Sequence, residues 1–319
     1  MIFYEFNPLD TLFFRGSTPM EAGLSASDSV FPPPVSVIKG AVRTALMKQN
    51  KIPLNRENGE KINFDVVAVL IKKSGNCYAP SPATWYVACR NKKEEATTHF
   101  TGNTILEARP LDNSLTTSLG IMSSEGDVPF VAGTEKGCEP ISLGGAWINV
   151  KLLLEKRSTI KEGDILFEKD MYAKEARTGV GLDSRKHTVD GMLYSANHIR
   201  LKEDVSIVVC LSGEPEFEGK NLAQSGVIQL GGEKRLCKYE KTAPIEFTEP
   251  ADSKNFICLV PVEATEEIIK NIVASGKIKT SAGWDLAAGF HKATTNWIPA
   301  GAVFSEKINE FCFALAGRK

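Results

Sequence analysis

Three consecutive prolines, Pro32 to Pro34, stand directly before an apolar stripe of helical spacing. Their fixed φ and missing N–H groups favour extended polyproline geometry and keep a helix from starting upstream. Beyond them Val35, Ile38, Val42, Ala45 and Leu46 share one face, which predicts a helix over about Val37–Gln49 with Ser36 as its N-cap. Before them Ile2–Phe14 alternates as a strand does. Lys39 and Arg43, four apart, sit together on the helix flank, with Gly40 leaving backbone exposed between them. No acid occurs between Asp28 and Glu57, whereas Lys39, Arg43, Lys48, Lys51 and Arg56 do. The result is a local positive field.

The whole chain does not share that field. Its net charge is −1 over 319 residues and its pI is near 6.5. Non-specific nucleic-acid affinity comes from phosphate neutralisation, so this balance excludes a protein that coats nucleic acid indiscriminately and leaves room for a local groove. With 42% hydrophobic residues the chain can bury a core large enough for two domains. Met1–Glu5 lacks the basic start and apolar run of a leader. Val205–Leu211 and Phe256–Val262 are too short to span a bilayer. The seven cysteines are scattered, with no C-x-x-C pair. A cytoplasmic protein without a membrane partner is expected.

Phe64–Lys72 reads as a buried strand, turning at Ser74-Gly75-Asn76 into a second strand through Tyr78. This β-α-β-β order opens a ferredoxin-like domain, the fold of RNA-recognition motifs. Ala88–Gly145 reads as loops and short helices, and Trp147–Leu154 as a short helix or strand. A hairpin arm is predicted over about Tyr172–Leu201, its polar, basic tip at Asp183–Asp190 and its flanks weakened by Gly179, Gly181 and Gly191. A second set of elements follows. Val205–Leu211 is a strand and Gly219–Gln224 a helical connection. Val227–Leu230 and Leu236–Lys241 pair across Gly231-Gly232-Glu233. Phe256–Val262 is a strand, Thr265–Ala274 a helix capped by Gly276, and Ala302–Phe304 closes. The expectation is α+β: two ferredoxin-like domains, residues 1–203 and 204–319, with a projecting β-hairpin.

Enzyme motifs are missing: no phosphate loop, no G-x-S-x-G elbow and no H-E-x-x-H helix. His99, His187, His198 and His291 are widely separated, and no metal or cofactor is expected. One catalytic alternative is a metal-independent endoribonuclease using His187, beside Arg185 and Lys186, with Tyr194 following, or using His198. The blander reading is a solvated histidine among basic contacts. Arg15 ends an apolar strand and needs a partner, either a phosphate or Asp10 or Glu21. The arm carries Lys174, Arg177, Arg185, Lys186, Arg200 and Lys202 against Glu175, Asp183 and Asp190. Such a hairpin can wedge between nucleotides, stacking with Met192 or Tyr194, or it can simply stand in solvent. Gly231-Gly232-Glu233-Lys234-Arg235 is a glycine turn with two cations, or ordinary hairpin punctuation. Trp284, ahead of His291 and Lys292, is a core residue or a base-stacking platform.

Several of these stretches occur together elsewhere. Pro8-Leu9-Asp10-Thr11-Leu12-Phe13-Phe14-Arg15, Phe31–Pro34 and Lys39–Leu46 are joined by Gly191-Met192-Leu193-Tyr194 within Val180–Leu201. Trp284-Asp285-Leu286 and Pro299-Ala300-Gly301 agree with them. The set resembles the RAMP proteins of CRISPR systems, and within them the third Cmr subunit of type III-B effector complexes. Residues 50–160 lie outside the match. The resemblance implies a non-catalytic subunit that binds the 5′ handle of the crRNA in antiviral defence. Its partners would be the large polymerase-like subunit and a backbone subunit, with the loops of 88–145 as contact surfaces. The arm would be a thumb separating handle from spacer, and the double-glycine turn would lie against RNA backbone. The RNA contacts so implied are Arg15, Lys39, Gly40, Arg43, Arg177, Arg185, Lys186, His187, Met192, Tyr194, Gly231, Gly232, Lys234, Arg235, Trp284 and Lys292. Two departures stand out: Gly16 follows Arg15 where relatives carry an acid, and Thr294–Trp297 replaces a basic stretch.

Overall fold

The computed structural model describes residues 1–16, 27–89, 100–110, 129–131, 138–247, 250, 253–281, 284–285, 290–291, 293–310 and 312–316. The fold is α+β, mostly sheet with few helices. The chain forms two units and visits each more than once. Met1–Gly75, Glu168–Ile245 and Thr280–Asn296 make the first; Asn76–Phe167, Glu246–Lys279 and Trp297–Lys319 make the second. Among the described residues no helix is long and apolar enough to cross a membrane.

The first unit is built around β1 (Ile2–Pro8), followed by α1 (Val35–Gln49) and β2 (Val66–Lys73). Next come the long strands β3 (Tyr172–Leu182) and β4 (Thr188–Leu201), then β5 (Val205–Leu211), β6 (Ser225–Gln229) and β7 (Leu236–Thr242). The sheet runs β2-β5-β1-β7-β6, and the neighbours pair antiparallel. All of β5 is buried, as is Val66–Ile71 of β2, which marks strands covered on both faces. The helix α1 adds Ile38, Val42, Ala45 and Leu46 to that core, each worth about 1.5–3 kcal/mol of burial for the larger side chains.

The helix begins two residues earlier than Ser36 would allow as a cap. Pro34 is the N-cap, and its carbonyl accepts from Val37 N (2.9 Å) and Ile38 N (3.1 Å). Its ring already holds the φ that a residue at a helix entry can use, so the proline run starts the helix directly. The first strand is also shorter than expected, ending at Pro8. Leu12 then exchanges main-chain bonds with Ile199 of β4, 2.8 Å each way. Arg56–Lys61, with no apolar stripe, is a short additional helix capped by Asn55.

β3 and β4 form the predicted arm, in register from Tyr172↔Leu201 to Val180↔Leu193. Its tip is organised by Asp183, whose Oδ1 accepts from the amides of Arg185 and His187, both at 2.8 Å. Gly219–Gln224 is not helical. The connection is the small strand pair Glu216–Phe217 and Lys220–Asn221. A domain boundary at 203/204 is likewise corrected: β5, just after it, pairs with β1 at the start of the chain.

In the second unit Asn76–Pro80, Trp147–Asn149 and Ile165–Leu166 pair in sequence. Trp147–Leu154 is both things at once, a strand followed by the helix Val150–Leu154. Within 88–145, expected as loops and short helices, the described residues include strands. Trp85–Cys89 pairs with Ile105–Pro110 on one side and Glu139–Ser142 on the other. A further sheet holds Phe256–Cys258 between Val303–Phe304 and Cys312–Ala314. The long helix predicted at Thr265–Ala274 shrinks to Glu266–Ile269, because Ile272–Ala274 is drawn into pairing with Val303–Phe304.

Candidate nucleic-acid interface

The segment after β1 is where three distant parts of the first unit meet. β1 pairs with β7 as far as Pro8↔Cys237, and Leu9 N donates to Leu236 O at 3.0 Å. That register brings Arg235, just before β7, to Asp10. Arg235 Nη1 donates to Asp10 Oδ2 at 2.7 Å. From the base of the arm, Arg200 Nη2 reaches Asp10 Oδ1 at 3.1 Å and Arg177 Nη2 reaches Oδ2 at 3.3 Å. Glu175 receives Arg177 Nη2 (2.9 Å) and Arg200 Nε (2.6 Å), while Glu233 receives Arg235 Nη2 (2.7 Å). Three guanidinium groups therefore face three carboxylates. The Thr11 amide, followed by the arginines, holds the Asp10 carboxyl below the usual carboxylate range. Arg200 and then Arg177 do the same for Glu175.

Under this cluster lies His198, fully buried. Its Nδ1 is hydrogen-bonded to Thr11 Oγ1 at 3.2 Å, and its ring stacks on Phe13 at 5.0 Å. Nε2 is 3.5 Å from Glu233 Oε1. Burial pushes the imidazole below its ordinary value; Glu233 opposes this, and Arg235 and Arg177 reinforce it. The ring is neutral at neutral pH.

The double-glycine turn packs on the same segment. Gly232 N donates to Phe13 O at 2.8 Å. Gly231 has φ +85°, and a Cβ there would stand 2.6 Å from Phe13 O. Only glycine satisfies both demands. Glu233 and Lys234 also adopt left-handed backbone, which turns the exposed Lys234 outward.

Of the residues expected to touch RNA, Arg177, Gly231, Gly232, Lys234 and Arg235 thus belong to one assembly. Arg185, Lys186 and His187 occupy the exposed arm tip. Between them and the base, Tyr194 lies over Gly179 and Met192 over Gly181, so a Cβ on either glycine would collide with the side chain opposite. The glycines make room for these two side chains across the hairpin. His187 and Tyr194 are seven residues apart along an extended strand, on the order of 20 Å, and so do not form the acid–base pair considered above. His187 is instead 3.7 Å from Asp183 Oδ2.

Lys39 and Arg43 do not join the assembly. Lys39 Nζ binds Asp65 Oδ1 at 2.6 Å; Arg43 Nε donates to Ile62 O at 3.2 Å and its guanidinium lies 5.9 Å from the Phe64 ring centre. Asp65 precedes β2 at the level of Leu211 and Ile2, the opposite end of β1 from Pro8. Six strand steps, about 20 Å, separate the two ends. The acid-free stretch of sequence is supplied with an acid by the fold. Gly40 is exposed, with nothing within 4 Å of a Cβ built on it. Arg15 is exposed and bridges Ser29 through its backbone; Asp10, one partner considered for it, is given to the other three arginines. The Trp284 backbone pairs with His291, while its side chain, and Lys292, His99 and Glu21, lie outside the described residues.

The model of the CRISPR-associated protein family Cas_Cmr3 matches residues 4–267. The chain belongs to that family. Two solved structures share the fold of this Cas_Cmr3-family chain. A chain from the cryo-EM structure of the type III-B Cmr-beta bound to cognate target RNA is 18% identical, with 95% of this chain and 86% of that one covered and a TM-score of 0.54. A chain from the same assembly bound to target RNA and AMPPnP, state 1, is 17% identical, with coverages of 95% and 85% and a TM-score of 0.53. No curated protein matches.

Sequence reasoning saw Asp10, Glu175 and Arg200 in this Cas_Cmr3-family chain only as separate charges, and did not connect Glu233 or His198 to them. The available signal was the placement of a charge at a strand end, Asp10 two residues past β1 and Arg200 next to last in β4. Chemically the assembly divides its cations in two. Arg177, Arg200 and Arg235 are consumed by carboxylates and fix the arm to the turn. Among the described residues, Arg15, Arg185, Lys186 and Lys234 carry side-chain charge with no ion-pair partner.

Proposed function

We propose that this chain is a non-catalytic RNA-binding subunit of a type III-B (Cmr) CRISPR effector that grips the 5′ handle of the crRNA. The observation that carries this reading is the Asp10 cluster, which joins the base of the arm to the double-glycine turn. The paired arginines give a rigid frame, and the unpaired Arg15, Arg185, Lys186 and Lys234 are left for phosphates. The arm serves as the thumb, with Tyr194 and Met192 offering faces on which splayed bases stack. Family membership supports the reading, as does the likeness in fold to chains of Cmr-beta solved with target RNA. The antiparallel order β2-β5-β1-β7, with α1 crossing from β1 to β2, supports a ferredoxin-like, RAMP-type first unit. In the cytoplasm such a subunit bridges the large polymerase-like subunit to the backbone subunits. It sets where guide pairing begins and leaves target choice to base pairing.

The test is co-expression of the full chain with the other complex subunits and a repeat–spacer transcript, followed by sequencing of copurified RNA. Short RNAs sharing one repeat-derived 5′ end are expected. RNA with random ends, or none, contradicts the proposal. His187→Ala should leave both assembly and RNA ends unchanged; altered ends would instead favour the endoribonuclease.

A further inference from the structure

In the second unit, Cys258 and Cys312 stand directly opposite each other on paired antiparallel strands. Their amides point elsewhere: Cys258 N donates to Ala302 O at 3.2 Å and Cys312 N to Asn309 O at 3.3 Å. A facing pair that exchanges no main-chain bonds is the close kind, with Cα atoms about 4.5 Å apart and side chains at their nearest. That spacing falls inside the range a disulfide spans. Both thiols are free, and both are buried among Ile298, Ala302 and Phe304.

We propose that Cys258 and Cys312 are a redox-modification site that closes to a disulfide on reaction with hydrogen peroxide. The Cys312 thiolate attacks one peroxide oxygen, the O–O bond breaks, and hydroxide leaves and is protonated to water. Cys312 is now a sulfenic acid. Cys258 loses its proton and attacks Cys312 Sγ; the S–O bond breaks and a second water departs. Two thiols are oxidised and one peroxide is reduced to two waters. The order of attack follows the local chemistry. The hydrogen bond from Cys258 holds the Cys312 thiol below its usual range, with help from the backbone amides of Asn309 and Ile308 and from Lys307; the same bond, together with burial, raises Cys258. Cys210 and Cys237 have no such neighbour among the described residues, and burial pushes each up to about 12. They are inert by comparison.

The closed bond would tie Phe256–Cys258 to Cys312–Ala314 across the core of this sheet. The experiment is to treat the folded full chain with hydrogen peroxide, alkylate the remaining thiols, digest without reduction and map peptides by mass. The expected product is one cross-linked pair containing Cys258 and Cys312, lighter by two hydrogens and lost on dithiothreitol treatment. The oxidised chain should melt several degrees higher than the reduced one. In Cys258→Ser the same treatment should leave Cys312 as a dimedone-reactive sulfenic acid. Recovery of both cysteines as free thiols, under exposure that consumes the half-buried Cys77, would overturn the proposal. A disulfide joining any other cysteines instead would do so as well. Both of these outcomes are read from the wild-type chain, whether or not the variant folds.

Discussion

Arg235 donates to Asp10 at 2.7 Å across 225 positions of the chain. The contact exists because β7 runs beside β1 and ends its pairing at Pro8↔Cys237, which sets Arg235, just before β7, against Asp10, two residues past β1. The arm, inserted between β2 and β5, brings Arg177 and Arg200 to the same carboxylate. One aspartate thereby joins the two elements through side chains, beside the main-chain bonds of Leu12 with Ile199 and of Gly232 with Phe13.

Asp10→Ala should therefore lower stability by about 1 kcal/mol, since its ion pairs are partly solvated. More telling is the coupling. Asp10→Ala and Arg235→Ala should be non-additive by about 0.5–1 kcal/mol in urea unfolding, as expected of contacting residues. Strict additivity would mean the pair contributes nothing.

His198 gives a pH signature with a defined sign. Its folded pKa lies below the unfolded value, so the unfolded chain takes up the proton first as the medium is acidified. The stabilisation is complete above about pH 6.5 and is lost as pH falls toward the depressed folded value. The urea midpoint should thus decline between pH 7 and 5, before the lowered carboxyls of Asp10, Glu175 and Glu5 begin to protonate. In His198→Gln the midpoint should be lower at pH 7.5, by about 1 kcal/mol of stability, and the decline shallower. Parallel profiles for the two proteins would remove His198 from the account.

The glycines make opposite predictions. Gly231→Ala forces a Cβ to 2.6 Å from Phe13 O on a backbone at φ +85° and should cost about 1–3 kcal/mol. Gly40→Ala, inside a helix with open space around it, should add about 0.5–1 kcal/mol. Thermal melts of the two variants against wild type read both signs.

What was legible in the sequence was local. The arm's limits, Tyr172 and Leu201, follow from alternation interrupted by glycines, and α1 from a stripe of 3.6 period; each pattern lies within one element. The Asp10 cluster was not legible, because strand register alone decides that residues 10, 177, 200 and 235 meet. Lys39 misled for the same reason, its acid coming from Asp65 on another element. Between 88 and 145 the strands pair over long polar separations that carry no local period. Ser36 lost the cap to Pro34 because the proline carbonyl was already placed to start the helix.

The most direct measurement is the salt dependence of binding between the assembled complex and RNA bearing the repeat-derived handle. Lys234→Glu and Arg185→Glu should each weaken binding and lower the slope of log K against log salt by about 0.7 per lost phosphate contact. Lys39→Glu, whose ammonium is paired with Asp65 at the far end of the sheet, should leave that slope unchanged. A slope that falls for Lys39→Glu and stays fixed for Lys234→Glu and Arg185→Glu would contradict the assignment of the arm and the double-glycine turn as the RNA grip.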